Sequence, residues 1–352
     1  MSNALVLGGG APNLTLMAGT LVALDEKGVE FSVISASGAG MLIGLLYAAP
    51  KGTTRQEALK NAREMGVHNL IYDHFPVNYK VFHKPGLLAE NYTKFLQKLP
   101  RIDLGTNPLH FFNDWMALVF STFCPSDLNS MSKGLCQPAP WVDEVVDFAK
   151  LKDYPGDFFI NAYNIDDGKM EVFSKEEVTL DHFHAGLAFP LIYAPFKLNG
   201  KTYIEGSAIE PLCFEGILKE DERPKLAKHK REKLKTIVVF DVLGRDKLIH
   251  DPRSLYDAWV HSIIVPLVSI AKKDTKLFEL IHNRDDNGQP KRKLLKVKFD
   301  IPDDYWPNVL DWSRSNLEKL FDIGYKSGLK FYEKHKDDLS QSVGQLSGTS
   351  LS

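Results

Sequence analysis

Short apolar runs alternating with stretches of helix-spaced hydrophobics set the rhythm of the chain. Residues 4–7 (Ala-Leu-Val-Leu) are uninterrupted apolar, the pattern of a strand buried on both faces. The run empties into Gly8-Gly9-Gly10, and Pro12 stands where the first turn of a helix tolerates a missing N–H. Leu14, Met17, Leu21 and Leu24 then recur on one helical face as far as Gly28, a residue suited to closing a helix. A second apolar strand is predicted over 31–34. The small-residue turn Ser35-Ala36-Ser37-Gly38-Ala39-Gly40 follows it, and a helix opens at once with Met41.

Further along, the pattern predicts helices over 54–66, 141–150 and 181–188, and a hairpin of strands 158–163 and 170–173 around Asp166-Asp167-Gly168. Strands are predicted over 192–198 and 202–204, then a strongly buried one over 236–242. A helix over 255–281 broken near Pro266, a strand over 294–301 and a helix over 310–335 complete the series. Strands alternating with helices argue for a three-layer α/β/α fold with a central, mainly parallel sheet. Glycine turns after the first two strands place both at the sheet edge where such folds bind ligands.

Residues 69–141 break the alternation with a high density of aromatics and prolines. Phe111, Phe112, Trp115, Phe120 and Phe123 fall in a stretch of helical spacing. They are either core or the wall of an acyl channel in an inserted cap, since ligand sites are walled largely by apolar side chains. Residues 219–235 mix many lysines and arginines with acids and read as a solvated excursion, with a lipid-headgroup patch as the alternative. The Ser/Gly-rich tail over 338–352 reads as disordered, leaving residues 1–337 as one domain with a cap-like insertion at about 69–141.

Composition narrows the function. A 352-residue chain with 44% hydrophobic and 25% charged residues is of ordinary globular make-up, and its net charge of −2 gives no footprint for nucleic acid. Three cysteines without Cys-x-x-Cys spacing supply neither a disulfide framework nor a zinc site, which fits a reducing compartment. The most apolar later run, about 14 residues over 258–271, is too short to span a bilayer. A cytoplasmic protein is expected, with binding to a membrane surface left open.

The chemistry concentrates at the second turn. Small residues around a serine between strand and helix suggest a nucleophile elbow, in which a strained turn points the serine Oγ out of the sheet. The usual Gly-x-Ser-x-Gly is here Ser35-x-Ser37-x-Ala39, so Ser35 and Ala39 are the small elbow supports. A small-residue turn that merely packs a helix on a sheet is the plain alternative. A Rossmann loop is excluded because Asn13 stands where its last glycine would be. His182 and His184, two apart on a helix, face different ways and suit surface roles rather than a metal.

Three blocks in order give the chain a family likeness. They are Leu7-Gly8-Gly9-Gly10 with Gly19-Thr20-Leu21 and the run 24–28, the turn 34–40, and a third block over 185–211. The third comprises Ala185 to Pro190, Pro195, Gly200, Tyr203-Ile204-Glu205-Gly206-Ser207 and Pro211. Together they resemble the glycine-rich segment, the elbow and the Tyr-x-Asp-Gly-Gly/Ala motif of the patatin-like phospholipases, serine lipid acyl hydrolases. The resemblance implies cleavage of acyl esters in lipids or similar hydrophobic molecules by a serine–acid dyad, with no cofactor and no metal. Carried over, Ser37 is the nucleophile and Glu205 the base in place of aspartate. Gly206 and Ser207 support the acid motif, and the N–H groups of Gly8, Gly9, Gly10 and Gly38 form the oxyanion hole. Glu205 is one methylene longer than the family's acid, and Pro12-Asn13 replaces an Arg-Gly pair. A non-catalytic acyl or lipid binder on the same scaffold is therefore the alternative.

Overall fold

The computed structural model describes residues 2–11, 13–97, 108–222, 234–241, 251–252, 255–302, 305 and 311–339. In chain order these form β1 (Ser2–Leu7), α1 (Leu14–Glu26), β2 (Val33–Ala36), α2 (Ala39–Ala48), α3 (Arg55–Asn61), α4 (Leu87–Gln97) and α5 (Pro108–Phe123). Then come β3 (Asp157–Asn164), β4 (Lys169–Ser174), α6 (Leu180–Leu187), β5 (Phe196–Leu198), β6 (Lys201–Glu205) and α7 (Glu215–Glu222). β7 (Leu234–Phe240), α8 (Leu255–Leu277), β8 (Lys293–Lys296) and α9 (Arg314–His335) follow. The sheet runs β8-β7-β1-β2-β3-β6-β5. Its first five strands are parallel, whereas β6 and β5 are antiparallel, as is β4 on β3.

Alternation along the strands builds the three layers. Leu5, Leu7, Ile34, Ala36, Val238 and Phe240 face the side covered by α1, α2 and α9. Ala4, Val6, Val33, Ile237 and Val239 face the other, against Leu212, Phe214, Ala271 and Phe278. Because β1 is buried on both faces, its run shows no polar alternation, as a central parallel strand requires. α1 and α9 approach closely because Gly19 and Gly324 lack a Cβ, which would overlap Phe321 O and Leu16 O respectively. Thr20 Oγ1 donates to Gly324 O at 2.8 Å across the same contact.

Several expectations need correction. β2 starts at Val33 and continues through Ser35 and Ala36, so the first two residues of the predicted turn are strand. The stretch 192–198 divides around Ala194-Pro195 into Leu191–Tyr193, paired with Gly134–Cys136, and β5. Pro195 removes a ladder donor there. α8 runs unbroken through Pro266, which forgoes a single helix bond. In 141–150 only Val142–Val145 is α-helical, because Pro50 bridges to Val146 and ends the turn.

Most of the α5 aromatics are exposed rather than core. Phe111, Phe112, Trp115 and Phe123 are 40–76% exposed. The helix is anchored instead by the buried Asp114, which lies 3.1 Å from Lys80 Nζ and accepts the His68 N–H at 2.7 Å. Most of the charged excursion (223–233), nearly all of the tail (340–352) and Pro12 lie outside the described residues. No helix among the described residues is long and apolar enough to cross a membrane.

Candidate functional site

The site forms where three strand ends meet. β1 and β2 are in parallel register, with Leu7 opposite Ala36, and β1 continues into the glycine run. The Gly8 N–H donates to Phe240 O at 3.1 Å and the Gly9 N–H to Pro211 O at 3.2 Å. Those two amides therefore hold the turn to its neighbours and are not free donors, which corrects the expected four-glycine oxyanion hole. Gly10, at φ 131°, and Gly38, at φ 52°, have N–H groups without an acceptor among the described residues.

Strain at the elbow falls one residue later than expected. The Ser37 N–H still donates to Leu7 O at 3.0 Å, so Ser37 extends the ladder and keeps a negative φ. The chain turns at Gly38 (φ 52°, ψ −130°), the N-cap of α2. Glycine suits that conformation at little cost, whereas an L-residue there is strained. Gly40 then packs against β1, since a Cβ on it would lie 2.6 Å from Gly8 O. Ser37 is fully buried, and its Oγ donates to Glu210 O at 3.3 Å. It makes no hydrogen bond to Glu205, so the structure does not join the pair named from the sequence.

Glu205 ends β6, opposite Ala162 of β3, and its N–H donates to Ala188 O at 3.0 Å. That bond ties the acid motif to the Phe189-Pro190 segment after α6. Gly206 follows because a Cβ would stand 2.5 Å from the buried Asn161 side chain. The Glu205 carboxyl is almost wholly buried, and the hydroxyl of Ser207, two residues on, donates to its Oε1. Burial pushes the Glu205 pKa up to about 8, against the bond from Ser207, which pulls it down. A Cβ at Gly38 would overlap Glu205 Oε1 and Ser207 Oγ, so the elbow apex and the acid motif are in direct contact.

The corner opens into an apolar cavity of about 260 Å³. Glu205, Ser207, Gly10 and Ala39 stand at one end of its lining, and Leu42, Phe82, Trp141, Phe183, Ile264 and Trp312 are among its apolar walls. The cap-like stretch contributes Val81, Phe82, Ala139 and Trp141, and Ser37 is not in the lining. Ser35, the other expected elbow support, instead donates its Oγ to Cys213 O at 2.5 Å on the far side of the sheet. His182 Nδ1 meets Thr179 Oγ1 at 2.8 Å, while His184 packs on Phe196. No group of His, Cys, Asp and Glu among the described residues is arranged to hold a metal ion.

Sequence reasoning gave Ser207 a supporting role, and its hydroxyl turns out to be Glu205's partner. The signal for it was present: the family's Gly/Ala position after Asp-Gly holds a serine here.

The fold agrees with what comparison with known proteins finds. The chain is similar to VipD from Legionella pneumophila at 13% identity and a TM-score of 0.39, and to human GIVD cytosolic phospholipase A2, solved with methyl gamma-linolenyl fluorophosphonate, at 12% and 0.41. Each alignment covers 95% of this chain but only 67% and 58%, respectively, of those chains. No curated protein matches. The model of the patatin-like phospholipases matches residues 5–216, which takes in the glycine run, the elbow, the acid motif and all the strands between them. This chain belongs to the patatin-like phospholipase family.

Proposed function

We propose that the chain hydrolyses acyl ester bonds of lipids or similar hydrophobic esters, with Glu205 as general base to a serine hydroxyl. Family membership supports lipid acyl hydrolysis as the class of reaction. The observation that carries the finer reading is the buried Glu205 carboxyl, hydrogen-bonded to a serine at the polar end of an apolar cavity. A serine hydroxyl is a weak nucleophile until a base takes its proton, and a carboxyl raised toward neutrality by burial can serve. Backbone N–H groups of Gly10 and Gly38 suit the oxyanion, and one such donor is worth about 10²–10³ in rate.

The family resemblance implies Ser37 as the nucleophile. For the Ser37–Glu205 pair to operate, the Ser37 hydroxyl must leave Glu210 O and turn toward the cavity. A second reading, acyl binding without turnover, is favoured by the glycine at the elbow apex.

Hydrolysis of p-nitrophenyl acyl esters, with competition by a fluorophosphonate, separates the two readings. Turnover that the fluorophosphonate abolishes is expected. Saturable binding of a fatty acid with neither turnover nor labelling would leave the binder.

A further inference from the structure

An elbow works because its apex residue, strained out of the strand, lifts a hydroxyl clear of the sheet. Here the apex is Gly38, which has no side chain. Ser37, one residue earlier, keeps a ladder bond and directs its Oγ to Glu210 O. The space a residue-38 side chain would enter is nonetheless filled. The atoms a Cβ there would overlap are Ser207 Oγ and Glu205 Oε1. Ser207 Oγ also lies 2.6 Å from the point where a Gly9 Cβ would stand, so both glycines leave room for it. Its hydroxyl already donates to Glu205 and lines the cavity, with the unclaimed amides of Gly10 and Gly38 beside it.

We propose that Ser207 is the nucleophile of this site, its hydroxyl occupying the place that glycine leaves empty at the elbow apex, with Glu205 of the same turn as its base. The inference rests on the reading of the chain as an acyl hydrolase. Nucleophile and base within hydrogen-bond reach is the arrangement covalent catalysis requires.

The step balances with groups already present. Ser207 Oγ forms a bond to the acyl carbonyl carbon as its proton passes to Glu205, and the carbonyl π pair moves onto the oxygen facing the Gly10 and Gly38 amides. When the carbonyl reforms, the bond to the alkoxy oxygen breaks and the leaving alcohol takes the proton from Glu205. Water then gives a proton to Glu205 and attacks the acyl-Ser207 ester. Collapse of that second intermediate frees the carboxylic acid and returns the proton to Ser207. Ser37 then has the structural task of tying the elbow to the backbone of the acid-motif turn.

The test is the site of covalent labelling in the wild-type chain. A long-chain alkyl fluorophosphonate is reacted with the folded protein, and the tryptic digest is mapped by mass spectrometry. Residues 202–219 make one tryptic peptide whose only serine is Ser207, whereas Ser37 lies in the peptide 28–51. The adduct is expected on Ser207, and Ser207→Ala with unchanged circular dichroism is expected to lose about 10³-fold or more in kcat/KM. An adduct on Ser37 overturns the inference and leaves the acyl-hydrolase reading standing. No adduct on either serine, together with no ester turnover, overturns both.

Discussion

Replacing Glu205 by glutamine gives two effects of opposite sign, and their combination identifies the carboxyl. Glutamine is isosteric, and its Oε1 still accepts the Ser207 hydroxyl. Burial holds the carboxyl's pKa near 8, against 4.5 for a free glutamate. Between those values the folded chain keeps a proton that the unfolded chain has released. Stability therefore falls as pH rises, by about 1.4 kcal/mol per pH unit, and levels off above pH 8. The full difference corresponds to about 5 kcal/mol carried by the ionised group in the folded state. Glu205→Gln removes this slope. Thermal unfolding of wild type and variant at pH 5.5 and pH 9 is expected to show the variant's advantage growing with pH by several degrees. Ester turnover by the same variant should fall by about 10²–10⁴, the usual worth of a positioned base. Parallel stability curves would mean that Glu205 is not held neutral by burial, and undiminished turnover would mean that it is not the base.

The base must be ionised to accept a proton, so kcat/KM for a neutral ester should rise about tenfold per pH unit below pH 8 and flatten above it. A profile flat from pH 6 to 9 would contradict this. Gly38→Ala places a Cβ on Glu205 Oε1 and Ser207 Oγ at φ 52°, and should abolish turnover and cost about 1–3 kcal/mol in backbone strain alone, read by urea unfolding. The paired change Gly38→Ser with Ser207→Gly returns the hydroxyl to the apex and opens the space it needs. Fluorophosphonate should then label residue 38, and a well-folded double variant that stays unlabelled would show that the two positions are not interchangeable. Ile263→Trp narrows the cavity, so turnover of long-chain p-nitrophenyl esters should drop well before that of the acetate; equal losses would mean that the acyl chain lies elsewhere.

Much of the architecture was legible because the core strands are short and flanked by glycines. The runs 4–7 and 236–242 read as buried, and the strands they fall in, β1 and β7, are both central. The α5 aromatics misled because helical spacing records periodicity and not the side that is covered. What covers part of that helix is the cluster of Val67, Ile71 and Tyr79 against Ala117 and Leu118, with Asp114 paired to Lys80 thirty-four residues away, and no local pattern encodes either.

The site itself turned on a single residue of register. A strand alternates faces with period two, so whether the elbow frame starts at Ser35 or Ala36 decides which following side chain rides the strained turn and which stays in the ladder. Read against the family spacing, the elbow frame is Ser35-x-Ser37-x-Ala39; read against the observed pairing it is Ala36-x-Gly38-x-Gly40, with Gly40 packed against the end of β1. The second frame has the tighter small-residue requirement at its apex and its far end, because a Cβ at position 40 would meet β1 backbone while one at 38 would meet the acid motif. Those constraints come from chain segments about 30 and 170 positions away and cannot be read within the hexapeptide. In that frame a hydroxyl is missing from the apex, and one is present at residue 207, where the family pattern has glycine or alanine. The two departures lie in contact, and the space vacated by the first is filled by the second.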